Sequence, residues 1–408
     1  MLTRRQVQNT VTLSRDAQAK IRDRVTEAKH ILDSEHVAWG QFLDGDRNQQ
    51  QFGVYGTSAA IAILAASGVD PGNPDITKAA ATIPFIVDSN TALTRHDDND
   101  VSSTFKVAAA LEAVRPEEDN LNPTPEAALY LIEGIVDHKG WGNYYISSTV
   151  RDNAPRIEPT GVALLALSRV QGFKADQRCL AILAWLADEI APRGESPPES
   201  DALSLLVLAR YSAFSQQVMS LPAASAACLG RLRRWRKGAR NDSAIHAEYH
   251  YEIPGNVSAD NQYVFFPLHV LVALAFLSCP TSSSSDRSWA ANIVREVANS
   301  AIANKGYKVR GKVCTVDQLW TFRLLTLFVH LAESSPASFL SKPLNILDSR
   351  NRTIGAILAL LVFGTAGIVI SLQQHSIGVH TAGYVVSTIA FGLLVVAIRA
   401  GAGSSAGP

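Results

Sequence analysis

One eight-residue unit recurs six times along this chain of 408 residues, and it restricts the possible folds more than any other feature. A glycine or polar loop leads into an apolar segment that ends on leucine: Thr57–Leu64, Thr104–Leu111, Thr160–Leu167, Asp201–Leu208, Pro267–Leu274 and Trp320–Leu327. Repetition at such a period means a stack of one supersecondary unit, here with room for a second helix in each interval. Those second helices are legible as amphipathic stretches near Ile76–Val87, Glu126–Val136, Asp176–Glu189, Ala223–Lys237 and Asp286–Ala303, with another near Asp16–Leu32 ahead of the first repeat. A helix that is apolar nearly all round must be enclosed by others, whereas one charged on a single face belongs at a rim. The chain is therefore expected to be all-α, a single (α/α)6 toroid of six inner and six outer helices. No Val/Ile/Thr-rich alternating run competes for strands. An open solenoid would show the same alternation.

The C-terminal part reads differently. Between Arg352 and Arg399 there is no Lys, Arg, Asp or Glu. Thr353–Leu372 and Ile377–Ile398 each reach the ~20 apolar residues that cross a ~30 Å hydrocarbon core. Gln373, Gln374, His375 and Ser376 form a link suited to a tight hairpin, and Lys342, Arg350, Arg352 and Arg399 place the chain ends in the cytoplasm by the positive-inside bias. The expected organisation is a cytosolic toroid over 1–335, a linker over 336–352, transmembrane helices over 353–372 and 377–398, and a cytoplasmic tail over 399–408. The expected location is the inner membrane, multi-pass, with toroid and both termini cytoplasmic. Small residues four apart, Gly355 with Ala359 and Gly383 with Ser387, would let copies pack through those helices into a homo-oligomer.

The charge balance, 37 basic against 37 acidic residues, gives no global field for nucleic acid, and no nucleic-acid partner is expected. The local exception is Arg231, Arg233, Arg234, Arg236, Lys237 and Arg240 around Trp235, either a phosphate or lipid patch or a solvated helix end. Cys179, Cys228, Cys279 and Cys314 stand at least 35 residues apart, which suits buried thiols in a reducing compartment. Met1-Leu-Thr-Arg-Arg-Gln6 lacks the apolar core of a signal peptide.

Gly140-Trp141-Gly142 and Lys305-Gly306-Tyr307, each ahead of an inner helix, resemble the Gly-aromatic turns of the α/α toroids of terpenoid cyclases and protein prenyltransferases, over roughly residues 20 to 335. That resemblance implies an apolar cavity. Its catalytic motifs are missing: where class II cyclases open an inner helix with Asp-x-Asp-Asp-Thr-Ala, this chain reads Asp100-Val-Ser102-Ser103-Thr104-Phe105, and a serine hydroxyl is too weak an acid to protonate an alkene. Glu158, in Arg156-Ile-Glu158-Pro-Thr160, holds the matching position one repeat on. The prenyltransferase zinc pair Asp-x-Cys is absent, with Cys314, Asp317 and His330 a loose echo.

Two further clusters are polar. Arg95-His96-Asp97-Asp98-Asn99-Asp100 precedes an inner helix, as an acidic cap or a Mg²⁺ site beside a diphosphate. His246 and His250 would be one turn apart if helical, without a third metal ligand. No metal or other cofactor is expected, Mg²⁺ entering only if the protein is an enzyme. Candidate cavity residues are Tyr55, Arg95, His96, Asp100, Ser102, Phe105, Arg156, Glu158, Phe265, Gln318 and Trp320, with Phe266 beside them. The leading expectation is a membrane-anchored, ligand-binding sensor whose toroid answers an unknown small-molecule or protein trigger and controls the two-helix effector, as in bacterial antiviral defence; the missing acid argues against an enzyme. The alternatives are a membrane-bound isoprenoid- or lipid-modifying enzyme using Asp97, Asp98, Asp100 and Glu158, and an anchored scaffold.

Overall fold

The computed structural model describes residues 3–44, 53–70, 72–89, 104–113, 125–143, 154–170, 172–238, 246–251, 262–309 and 311–339. The chain divides into two compact units, Met1–Leu340 and Ser341–Pro408, and every described residue lies in the first.

That unit is mostly helical. Six helices follow the apolar repeats: α2 (Val54–Ala66), α4 (Thr104–Ala113), α6 (Ile157–Leu167), α8 (Pro198–Arg210), α10 (Leu268–Ser278) and α12 (Thr315–Ser334). Six more fall on the amphipathic stretches: α1 (Arg4–Glu27), α3 (Pro74–Ser89), α5 (Pro125–Glu133), α7 (Gln177–Ile190), α9 (Leu221–Gly238) and α11 (Ser284–Asn304). The first starts earlier than expected, because Thr3 and Gln6 close a capping box that satisfies free N–H groups at its N-terminus. It also ends earlier. The chain at Leu32 has already entered a hairpin of β1 (His30–Ile31) and β2 (Val37–Ala38).

A second hairpin corrects the expectation of no strands. β3 (His246–Tyr251) pairs antiparallel with β4 (Gln262–Pro267), His246 opposite Pro267 and Tyr251 opposite Gln262. At ~3.4 Å per residue the Cα atoms of His246 and His250 are ~14 Å apart, not one helical turn, so the spacing that suggested a shared metal does not arise.

The apolar set is the buried set. Every residue from Gly56 to Leu64 and from Leu268 to Leu277 is buried. Contacts between these helices run α2 to α4, α4 to α6, α6 to α8, α8 to α10, α10 to α12 and α12 to α2. The amphipathic helices pack against this set, α3 on α2, α5 on α4, α7 on α6, α9 on α8, α11 on α10, and α1 on α11 and α12.

Turns ahead of the apolar helices are tied by a repeated arrangement. The Thr57 hydroxyl accepts the Trp39 amide at 3.2 Å and the Trp39 indole donates to the Val25 carbonyl at 2.7 Å. One unit on, Thr160 accepts the Trp141 amide at 3.0 Å and the Trp141 indole donates to Leu131 at 2.6 Å. The first threonine of a neighbouring helix completes the latch: Thr104 donates to Gly142 and Thr315 to Gly40, both at 2.7 Å. Glycine is required by close approach. A Cβ on Gly56 would lie 2.3 Å from the Gly40 carbonyl, and one on Gly140 would lie 2.5 Å from Thr160 Oγ1. Near Tyr307, Gln318 does the same work with its amide, accepting from the Tyr307 N–H and donating to its carbonyl, each at 2.7 Å.

Arg231, Arg233 and Arg236 of the basic stretch on α9 are held in ion pairs. Arg231 grips Asp201 through Nε and Nη2, the side chains 6% and 1% exposed, and also donates to the Arg193 carbonyl. Arg233 and Arg236 both reach Asp286, whose carboxyl also caps α11 with Ser283. These guanidiniums are occupied in joining α9 to α8 and α11. Arg240 lies outside the described residues.

Among the described residues no helix is long and apolar enough to cross a membrane. The most apolar helices hold 13 and 11 residues, short of the ~20 that a bilayer needs. α12, with 20, carries Asp317, Arg323 and Glu333. This corrects the expected multi-pass, inner-membrane localisation; the spans expected over 353–372 and 377–398 lie outside the described residues.

Candidate functional site

Where the apolar helices converge they leave a cavity of about 60 Å³. Helical spacing determines what faces it. From α12 come Val316, Leu319, Trp320 and Arg323, and from α4 Phe105, Ala108 and Ala109, the i, i+3, i+4, i+7 rows of one helix face. Tyr55 and Ala59 of α2, Val162 and Leu165 of α6, and Phe266 of β4 complete the described wall. Tyr55, Phe105 and Val316 are the second residues of their helices, whereas Leu165 and Arg323 are the ninth. The cavity thus runs about two turns inward from the helix N-termini, ~10 Å at 1.5 Å per residue. Its wall is aromatic and aliphatic except for Arg323, whose guanidinium carbon stands 5.0 Å from the centre of the Trp320 ring.

Above the wall is a polar step. Glu158 lies on the same face of α6 as Val162 and Leu165, one turn nearer the N-terminus, and accepts a hydrogen bond from the Ser200 hydroxyl at the start of α8. Beside it the Glu199 carboxyl is pushed above its ordinary range, first by burial and then by the charges of Glu158 and Asp201. Arg156 holds the N-cap position of α6, its backbone N–H bonded to the Trp141 carbonyl at 2.9 Å.

The expected cavity residues therefore separate. Tyr55, Phe105 and Trp320 stand on the wall. Gln318 is spent on the Tyr307 backbone, and Glu158 and Arg156 are at the helix entrance. Phe265 lies on β4, with its neighbour Phe266 on the wall. Arg95, His96, Asp97, Asp98, Asp100 and Ser102 lie outside the described residues. Cys314 and Asp317 are buried at one end of α12 and His330 is exposed ~20 Å along it, so these three do not meet. Among the described residues no group of three His, Cys, Asp or Glu is placed to hold a metal ion. The wall residues absent from the sequence reading are the small and aliphatic ones and Arg323; the signal that finds them is the row extending from Trp320 back to Val316 and on to Arg323.

A second depression, about 570 Å³, lies where α1 ends beside the end of α2. Of its charges, Lys29 pairs with Asp75 at 2.6 Å, Arg22 with Asp23 at 2.8 Å, and Glu27 with Lys305, outside the lining, at 3.9 Å. It is a solvated surface groove.

No protein-family model matches the chain, and no curated protein matches it. Among solved structures it is similar to a family 76 glycoside hydrolase from a bovine Bacteroides thetaiotaomicron strain, at 14% identity and a TM-score of 0.44, covering 77% of each chain. That neighbour is neither a terpenoid cyclase nor a prenyltransferase, which corrects the resemblance read from the Gly-aromatic turns; in this chain Gly140 and Gly306 serve close packing. The functions drawn from that resemblance and from the expected membrane helices, a sensor driving a membrane effector in antiviral defence and an isoprenoid- or lipid-modifying enzyme, fall with it. The likeness to the hydrolase is too distant to lend an activity in their place.

Proposed function

We propose that residues 1–335 form a closed α/α toroid whose work is to hold a small, largely apolar molecule among the N-terminal halves of its inner helices. Closure is supported by the order of helix contacts, which returns from α12 to α2, and by the backbone seam between the first and last repeats. There Leu43 N–H donates to Val313 and Thr315 N–H to Gln41, at 2.8 and 2.9 Å. The observation that carries the binding reading is the cavity wall itself. Apolar and aromatic side chains from four helices and a strand face one space, the usual composition of small-molecule sites.

The test is binding of xenon, a neutral apolar probe small enough for a cavity of about 60 Å³, to the folded protein. It should saturate at one site, and Ala109→Leu, which adds carbon to the wall, should weaken it at least tenfold while the melting temperature moves only a few degrees. An unchanged affinity in the variant, or no saturable binding by the parent protein, defeats the reading.

A further inference from the structure

We propose that the hairpin of β3 and β4 is the gate of the cavity and that Phe266 is the side chain that closes it. The proposal rests on the cavity being a binding site and names how a ligand enters it.

The described wall comes from helices at every position but one. Tyr55, Phe105, Val162 and Trp320 stand on α2, α4, α6 and α12, and each of these helices packs between two apolar neighbours. Moving any of them would break the helical frame. Phe266, 2% exposed, comes instead from β4. Among the described residues that strand pairs with β3 alone, and a two-stranded hairpin is marginal in water unless something holds it. The hold used at other helix starts is missing here. In the first turns of α2, α4, α6 and α12 the hydroxyls of Thr57, Thr104, Thr160 and Thr315 each bond the backbone of a turn. α10 opens with Leu268-His269-Val270-Leu271 after Pro267, so its first turn has no hydroxyl and the proline has no N–H to give. β4 touches α10 and α12, with the buried Phe266 ring as its described anchor. The hairpin can therefore swing out while the helices stay packed, and its departure removes one side of the wall. Elements that move in binding are drawn from such low-stability parts of a fold.

A fixed wall strand would occupy the same place, so the experiment separates the two. Hydrogen exchange of the full chain is followed by mass spectrometry with and without dissolved xenon. Amides of 262–266 should exchange at least tenfold faster than those of 270–277 in α10, because the hairpin opens without the helices. The open state lacks the site, so xenon at about three times its dissociation constant should slow the β4 amides about fourfold. Those of α7, which gives no residue to the wall, should not change. Phe266→Ala should speed the β4 amides at least tenfold further, with α7 unchanged as the sign of an intact fold. β4 amides as slow as those of α10, or fast ones indifferent to bound xenon, overturn the gate and leave the cavity reading intact. Failure of xenon to bind removes both.

Discussion

Replacing Arg231 with alanine should destabilise the protein by about 3 to 5 kcal/mol, the usual result of leaving one member of a buried ion pair without its partner. The reason is local. Asp201 is in the first turn of α8, 1% exposed, and receives three guanidinium hydrogen bonds from α9. Truncation strands that carboxylate inside the interface between the two helices, where desolvation has no compensation. The companion experiment is the double replacement Arg231→Met with Asp201→Leu. Removing both charges at similar volume should recover most of the loss, since buried pairs often contribute little over apolar packing. Urea unfolding of the two variants reads both values. A loss below about 1 kcal/mol for Arg231→Ala would show that water reaches this pair.

The second large effect is a dependence on pH centred on Asp317. Burial pushes this carboxyl from 3.8 up to about 8. The folded state thus keeps a proton that the unfolded chain releases, and stability must fall as pH rises between the two values. The contribution is whole below pH 4, declines by about 1.4 kcal/mol per unit, and is gone above pH 8. Asp317→Asn cannot ionise. Its stability relative to the parent should therefore climb steadily from pH 5 to pH 8. Glu199, also raised by burial, tilts both proteins the same way and cancels in the difference. Parallel curves of melting temperature against pH would mean that Asp317 is ionised when folded.

Much of the helical frame was legible because its signals are local. Thr57, Thr104 and Thr160 open apolar segments, and in the structure each bonds a turn carbonyl or amide that would otherwise be stranded. The hairpin of β3 and β4 was not legible. His246-Ala-Glu-Tyr-His-Tyr251 lacks β-branched residues, and Gln262–Pro267 runs straight into the apolar helix α10, whose period dominates any short window. Aromatic wall residues such as Phe105 and Trp320 were visible by size. Ala108, Ala109 and Leu165 were not, because an alanine or leucine facing a cavity has the same pattern as one facing a neighbouring helix. Arg323 was hidden inside an apolar repeat. The arginines of α9 looked like a surface patch because the carboxylates that engage them, Asp201 and Asp286, are 30 to 53 residues away in sequence.

In the proposed toroid the first and last repeats meet and close the ring of helices. Phe42 and Cys314 face each other across an antiparallel bridge at that seam, a pairing whose ~4.5 to 5.5 Å Cα separation suits a disulfide. The most direct measurement is oxidation of the Phe42→Cys protein, followed by mass spectrometry of its peptides under non-reducing conditions. A closed ring predicts one dominant cross-link joining the new thiol to Cys314, formed by the folded protein and lost under denaturing conditions. A folded, helical protein in which the new thiol stays free or joins Cys179, Cys228 or Cys279 instead would contradict closure, and with it the cavity enclosed by these helices.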